Sequence, residues 1–329
     1  MQVVITGGAG FIGSNLTRWW VKHYPDDQVV VLDALTYAGR RESLSDLESH
    51  PRFRFVLGDV CDPAVVTETL RGTDIVVHLA AESHNDRAIR DPMPFVHTNV
   101  VGTANLLEAC RRLEVRRFHQ VSTDEVYGSL PLDTTERFTE SSPYHPRGPY
   151  SASKASADHL VRAWHYTYGL PVTLSNCSNN FGPFQFPEKL ISLAITRLLT
   201  GGKVPVYGDG LNVRDWIYVD DHCAALDLIA HRGQVGETYV VSAGTELANV
   251  DVVRRILRSL GLDDRSIEWV SDRPGHDRRY ALDPGRLTRD LGWQPSFEFD
   301  YALSATIDWY RRNESWWRPL MPSATSGSK

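Results

Sequence analysis

The chain has 329 residues, of which 42% are hydrophobic and 23% charged, and its formal net charge is −6. That length exceeds one average domain, and the composition is that of a globular chain, not of a disordered or fibrous one. The small negative charge gives no footprint for nucleic acid or an anionic membrane surface, no apolar run approaches membrane-spanning length, and the start "QVVITGG" shows no charged or apolar leader.

A cytoplasmic protein with no nucleic-acid or membrane partner is therefore expected. The four cysteines, Cys61, Cys110, Cys177 and Cys223, form no C-x-x-C pair. Reduced buried thiols are expected, with no disulfide framework and no metal.

The first predicted element is a strand, "QVVIT". It runs into glycines at 7, 8, 10 and 13 and then into a helical stretch. The glycines satisfy G-x-G-x-x-G from Gly8 and G-x-x-G-x-x-G from Gly7. Glycine lets such a turn tighten and lets backbone approach a pyrophosphate at a helix N-terminus. The next strand, "VVVLD", ends on Asp33, twenty residues after Gly13. A carboxylate there accepts from ribose hydroxyls and repels a 2′-phosphate, which favours NAD over NADP. The plainer readings are a tight turn and a solvated strand-end acid. "FRFVLGD" ends on Asp59, equally readable as an adenine contact or a turn residue.

"DIVVHLA" is the fourth predicted strand, and Val100 to Leu113 the next helix. The pairs Arg111-Arg112 and Arg116-Arg117 read as solvated helix ends. "RFHQVS" then leads into Thr123, Asp124 and Glu125. Three polar residues after a strand can simply start a helix, since Thr caps and acids favour a first turn. They can also be an acid and a base. In "YSASK", Tyr150 and Lys154 stand one turn apart on one helical face, Ser151 to Tyr168 continuing that helix. A tyrosine with a pKa of about 10 is a poor base, and a neighbouring ammonium is expected to lower that value. "PVTLS" is a sixth strand.

β-branched runs alternating with helices predict a doubly wound parallel sheet of the NAD-binding Rossmann type. After about Ser175 the rhythm changes. "CSNNFGPFQFPEK", "YGDGLNVRDW" and "SDRPGHDRRYALD" are polar and read as loops. The expected division is an NAD-binding domain over 1–175 and a smaller mixed α/β, mainly substrate-binding domain over 176–329. Part of about 215–245 would return to the first domain. The tail "SATSGSK" is expected to fray.

"GGAGFIG", "LAAES" and "YSASK" together resemble the extended short-chain dehydrogenase/reductase superfamily. "STDEVYG", "NNFGPFQFPEKLI" and "RPGHDRRYALD" narrow the resemblance to the dTDP-glucose 4,6-dehydratase family, over nearly the whole chain. The resemblance implies bound NAD, dTDP-glucose as substrate and a homodimer formed through the helices after Asn99 and Tyr150. It implies three linked steps on one sugar. Tyr150, with Thr123 and Lys154, takes the O4 proton as a hydride passes from C4 to NAD. Glu125 removes the C5 proton while Asp124 protonates O6 as water leaves. The hydride returns to C6.

The same resemblance gives Gly7, Gly10, Phe11, Ile12 and Gly13 to the NAD diphosphate. Asp33, Ala34, Leu35 and Thr36, with Asp59 and Val60, would hold the adenosine half. Leu79, Ala80, Ala81, Ser83 and Thr98 would line the cofactor channel, with Asn180, Tyr150 and Lys154 beside them. Ser83, Thr123 and Asn179 would also reach the sugar. Lys189, Leu190, Pro205, Tyr207, Arg214, Asn249, Arg273 and His276 would hold the nucleotide diphosphate and base. Guanidinium forks match phosphate oxygens, although Arg214 and Arg273 also read as surface arginines. One departure is Asn85 in "ESHNDRAI", where members usually show an apolar residue. The flanking Ser83, His84, Asp86 and Arg87 keep the pattern, and no change of chemistry is expected. Two alternatives stay open. One is a sibling nucleotide-sugar enzyme, either a 4-epimerase or a dehydratase of UDP-, CDP- or GDP-sugars. The other is a non-catalytic dinucleotide sensor.

Overall fold

The six β-branched runs of the first half form six strands: β1 Gln2–Thr6, β2 Gln28–Asp33, β3 Phe53–Leu57, β4 Ile75–His78, β5 Arg117–Thr123 and β6 Val172–Cys177. Between them lie α1 Phe11–His23, α2 Pro63–Thr69, α3 Asn85–Arg90, α4 Met93–Val96, α5 Thr103–Arg112 and α6 Pro149–Tyr168. Further on come β7 Asn179–Phe181, α7 Leu190–Leu199, β8 Val204–Tyr207, β9 Val213–Tyr218, α8 Val219–Arg232 and β10 Thr238–Val241. β11 Glu246–Ala248, α9 Asn249–Ser259, β12 Ile267–Val270, α10 Gly285–Leu291 and α11 Phe299–Arg312 follow. This computed structural model describes residues 1–321; the tail "SATSGSK" lies outside the described residues.

β1–β6 and β10 make one parallel sheet in the order β10-β6-β5-β4-β1-β2-β3. Alternate residues of each strand face opposite layers. Val4, Val30, Val76 and Phe118 pack on Val66 of α2, Leu106 and Leu107 of α5 and Val161 of α6. Val3, Ile5, Val29 and Val77 pack on Leu16 and Trp20 of α1 and on Val219, Cys223 and Leu226 of α8. Burial on both faces explains why these strands read as unbroken apolar runs. The chain winds one way from β1 to β3 and the other way from β4 outward. The ends of β1 and β4 therefore flank the crevice where such sheets bind ligands.

The later region builds a second core from Ile191 and Ile195 of α7, Val204 and Val206 of β8, Val253 and Ile256 of α9, and Leu303, Ile307 and Tyr310 of α11. Two segments expected to be loops are partly strand. "NNF" is β7 and "VRDW" opens β9, and the two pair in parallel. The pairing is non-local, and β7 is three residues long with two asparagines, so no local periodicity announces it.

The helix expected from Val100 begins earlier. α4 runs into α5 through a widened π-type turn at His97–Gly102. Such turns are common at functional sites. This one presents Asn99 inward, almost fully buried. Its Oδ1 accepts from the Glu82 amide at 2.9 Å, and its Nδ2 donates to the Glu82 carbonyl at 3.0 Å and to Ser153 Oγ at 2.8 Å. The loop after β4 is thereby tied to α6. Arg111 and Arg112 do end a helix in solvent, paired with Glu108. Arg117 does not: it starts β5, half-buried, with its guanidinium on the Gly233 carbonyl. All four cysteines are free thiols, three of them buried. Among the described residues no helix is long and apolar enough to cross a membrane.

Candidate active site

Gly7 leaves β1 with φ +69°, and a Cβ there would lie 2.6 Å from the Ala80 nitrogen. A Cβ on Gly13 would lie 2.2 Å from the Gly7 carbonyl oxygen. Glycine at both positions lets α1 sit flush on the turn and the loop after β4 close against it. Gly8 instead packs on Val31. Of the two glycine spacings, Gly7, Gly10 and Gly13 line the cleft and Gly8 does not. Asp33 ends β2, with Oδ2 accepting from the Ala9 amide at 2.9 Å and Oδ1 from the Leu35 amide at 2.8 Å. It binds the strand end to the glycine turn.

One cleft of about 440 Å³ runs from this turn across the sheet to β8 and the 272–280 loop. Its walls include every residue singled out for cofactor, sugar or chemistry except Leu35. Leu35 has φ +50° and packs against the cluster of Ala9, Val31, Leu44 and Leu47. Tyr37, Asn85, Glu82, Phe186, Glu188 and Tyr280 also line the cleft and went unremarked in the sequence as site residues. Arg87 sits 3.7 Å over the Tyr37 ring, and Tyr37 meets Phe186 edge-on. No local pattern links positions 37, 87 and 186; an aromatic between a strand end and a glycine is the only signal at Tyr37.

At the end of β5, Thr123 Oγ1 accepts from the Glu125 amide at 3.3 Å and donates to Asp124 Oδ1 at 3.2 Å. It caps the 3₁₀ turn Asp124–Tyr127. The helix-start reading and the placement of both acids in the cleft therefore hold together. Asp124 is 2% exposed, and its Oδ2 has no hydrogen-bond partner among the described residues. Burial pushes its carboxyl well above the usual range, helped by the charges of Glu125 and Asp215 and opposed by Arg214. Glu125 Oε2 accepts from Asn85 Nδ2 at 3.0 Å. The departure expected to be without chemical consequence thus touches one of the two acids.

α6 begins at Pro149 after Gly148, and it turns Tyr150 and Lys154 inward, both buried. In the protein alone, Lys154 does not reach the Tyr150 hydroxyl by a hydrogen bond among the described residues. Burial, then Glu125, Cys177 and Asp124, push the phenol well up, and the Thr123 hydroxyl opposes them. Lys154 donates instead to the Val121 carbonyl at 2.8 Å, and burial pulls its own ammonium down.

At the far end, Arg214 is 5% exposed, stacks 4.3 Å over Tyr280 and donates to the carbonyls of Val213 and Asp277. Lys189 donates to the Ser83 carbonyl at 2.8 Å. Arg273 pairs with Asp86 at 3.5 Å and His276 with Asp272 at 2.6 Å. Oδ1 of Asn179 and of Asn249 is buried without a partner. Buried polar groups are normally satisfied. Orphans on a cleft wall fit a polar ligand, and the glycine cradle at α1 fits a dinucleotide diphosphate.

A doubly wound parallel sheet with this cradle, and a Tyr-x-x-x-Lys pair turned into the same cleft, defines an extended short-chain dehydrogenase/reductase. A family model described as GDP-mannose 4,6 dehydratase matches residues 4–306. A dTDP-glucose 4,6-dehydratase of Mycobacterium tuberculosis is 54% identical over 321 residues, covering 97% of this chain and 96% of that protein. One of Escherichia coli is 45% identical, covering 100% of this chain and 99% of that protein. The crystal structure of a dTDP-glucose 4,6-dehydratase from Streptomyces venezuelae with NAD bound has a TM-score of 0.95 at 49% identity, covering 98% of this chain and 100% of that chain. A UDP-glucose 4-epimerase of Thermus thermophilus in complex with NAD has a TM-score of 0.86 at 31% identity, covering 94% of this chain and 99% of that chain. The chain belongs to the nucleotide-sugar 4,6-dehydratases and, among them, to the dTDP-glucose 4,6-dehydratase family.

The raised Asp124 carboxyl makes stability depend on pH. Its folded value lies above the unfolded value of about 3.9, so folding takes up a proton. The stability this group allows is complete below the unfolded value and is lost as pH rises through the folded one. Asp124→Asn removes that loss. Its melting temperature is expected to gain on the wild type steadily from about pH 4 upward, as measured by calorimetry across pH. A gap independent of pH would show that Asp124 is not held protonated.

Proposed function

We propose that the protein converts dTDP-D-glucose to dTDP-4-keto-6-deoxy-D-glucose and water, as an NAD-dependent 4,6-dehydratase supplying deoxysugar synthesis. The observation that carries this reading is a buried carboxyl, Asp124, next in sequence to a second carboxylate, Glu125, in the cleft that holds Tyr150. A 4-epimerase handles one proton at O4. It expels no hydroxyl and has no use for such an acid.

Gly7, Gly10 and Gly13 would admit the cofactor diphosphate and Asp33 the adenosine ribose, with Thr98 and Asn180 along the channel. Tyr150 takes the O4 proton, and the Thr123 hydroxyl shares the hydrogen bond to O4. NAD, when bound, accepts the hydride from C4 and returns it to C6, and its oxidised ring supplies the positive charge that Tyr150 lacks in the protein alone. Lys154, held on Val121, keeps a cation one helical turn from the phenol. The 4-ketone acidifies the C5 proton, which Glu125 removes. Hydroxide is a poor leaving group, so Asp124 delivers its proton to O6 and water departs. Glu125 then returns a proton to C5. Two carboxyls whose environments differ are the means by which one site supplies acid and base at one pH. Arg214 and Arg273, with Lys189, Asn249, Tyr207 and His276, would hold the nucleotide diphosphate and base.

Residues 1–175 with the segment carrying α8 and β10 would form the dinucleotide half, and the core around α7, α9 and α11 the substrate half. A homodimer through the helices after Asn99 and Tyr150 is supported by exposed Val101 just after Asn99 and by exposed Tyr166 and Tyr168 on α6. Free thiols support a reducing, cytoplasmic setting.

NAD is expected to survive purification, released on denaturation in about one copy per chain. Gly7→Ala forces a side chain into a left-handed backbone and onto Ala80, a strain on the order of 1–3 kcal/mol. It should emerge folded but depleted of NAD. Full retention would count against the cradle.

Tyr150→Phe should slow reduction of bound nicotinamide by dTDP-glucose by about 10²–10⁴-fold in single turnovers. An unchanged rate would remove Tyr150 as the base.

Asp124→Asn and Glu125→Gln should both still oxidise C4. Reduced-nicotinamide absorbance should build up while overall turnover falls by about 10²–10⁴-fold. In deuterated water, Asp124→Asn should still exchange C5 of the bound sugar, and Glu125→Gln should largely lose that exchange. Normal turnover in both folded variants would leave the pair as a helix start.

A further inference from the structure

The acid pair is approached by a neutral group from a different part of the chain. Asn85, the first residue of α3, donates from Nδ2 to Glu125 Oε2 at 3.0 Å. Among the described residues, no other hydrogen bond reaches that carboxylate's oxygens. The position of Asn85 is fixed on both sides. His84 caps α3 through its ring nitrogen, which accepts from the Arg87 amide at 3.4 Å. Asp86 faces Arg273 across the cleft at 3.5 Å. Ala88, one turn on, is fully buried against Phe95 and Tyr150.

An amide N–H can do something here that other groups cannot. It gives a carboxylate a donor without a counter-charge and neither takes nor gives a proton itself. A lysine or arginine at this position would pair with Glu125 and also pull on Asp124, whose proton the reaction needs. In this chain an apolar side chain here would remove the one hydrogen bond that reaches the Glu125 carboxylate oxygens among the described residues. Catalysis by proton transfer needs the base held within hydrogen-bond reach of its proton, and small misplacements are costly.

We propose that Asn85 is a positioning residue for the C5 proton transfer: it holds the Glu125 carboxylate by Oε2 and leaves Oε1 to meet the sugar. This rests on the reading of Glu125 as the C5 base. It predicts a defect confined to one step. Binding of the nucleotide and oxidation at C4 involve other residues.

The test uses the holoenzyme with dTDP-glucose carrying hydrogen or deuterium at C5. For Asn85→Val, kcat should fall about tenfold, the loss expected from one hydrogen bond to a charged group, with KM within about twofold of the wild type. Nicotinamide reduction in a single turnover should keep its wild-type rate, and the primary isotope effect of C5 deuterium on kcat should rise. Asn85→Gln, which keeps the amide donor, should recover part of kcat. Should Asn85→Val not fold, Asn85→Asp keeps the shape and replaces the donor with a like charge; the same signature is expected of it. A wild-type kcat and isotope effect in the folded variant would overturn the proposal. So would a fall in kcat matched by equally slow nicotinamide reduction. Glu125→Gln run in parallel separates the two readings. If it retains turnover, the base assignment fails and this inference with it. If it loses C5 exchange while Asn85→Val behaves as wild type, the inference about Asn85 alone fails.

Discussion

Burying a carboxyl without a cation of its own is the constraint from which the chemistry of this cleft follows. Asp124 is closed off from solvent, leaves one oxygen unpartnered and has the acids Glu125 and Asp215 nearby. The charged form of such a group is costly, and the protonated form is the stable one. Arg214 opposes this only in part, and neither neighbouring cation hydrogen-bonds to the Asp124 carboxyl among the described residues. Arg214 faces Tyr280 and two backbone carbonyls, and Lys154 faces the Val121 carbonyl. Burial and the two neighbouring acids together hold the Asp124 carboxyl above the usual range.

The fold supplies that enclosure by placing the C-terminal end of β5 between β4 and β6. Thr123 is the last residue of a strand buried on both faces, and the 3₁₀ turn it caps carries both acids into the cleft. α6 covers the same strand end and brings Tyr150 from the other side. The second core, built on α7, α9 and α11, adds Leu190 and Asn249 to the cleft wall.

The strands of the first half were legible because each is a short apolar run bounded by turn residues. The glycine turn was legible because glycine is required where a Cβ would strike the Gly7 oxygen or the Ala80 nitrogen. β7 and the start of β9 were not legible, since each pairs with a strand about thirty residues or more away: β7 with the end of β9, and the start of β9 with β11. The surroundings of Tyr150 were illegible for a related reason. Spacing puts a lysine beside it, but the direction in which that ammonium points is set by Val121, on another element. Asn85 looked neutral in sequence because its partner, Glu125, lies forty residues away. Periodicity reports what a residue does for its own helix or strand; it is silent about contacts between loops.

Asn99 carries a mechanical consequence. Its side chain clamps the Glu82 backbone on both sides and also grips Ser153, which stands between Tyr150 and Lys154 on α6. The wall after β4 and the helix bearing the phenol are thereby spliced at a single buried amide, and the widened turn at His97–Gly102 brings Asn99 within reach of both.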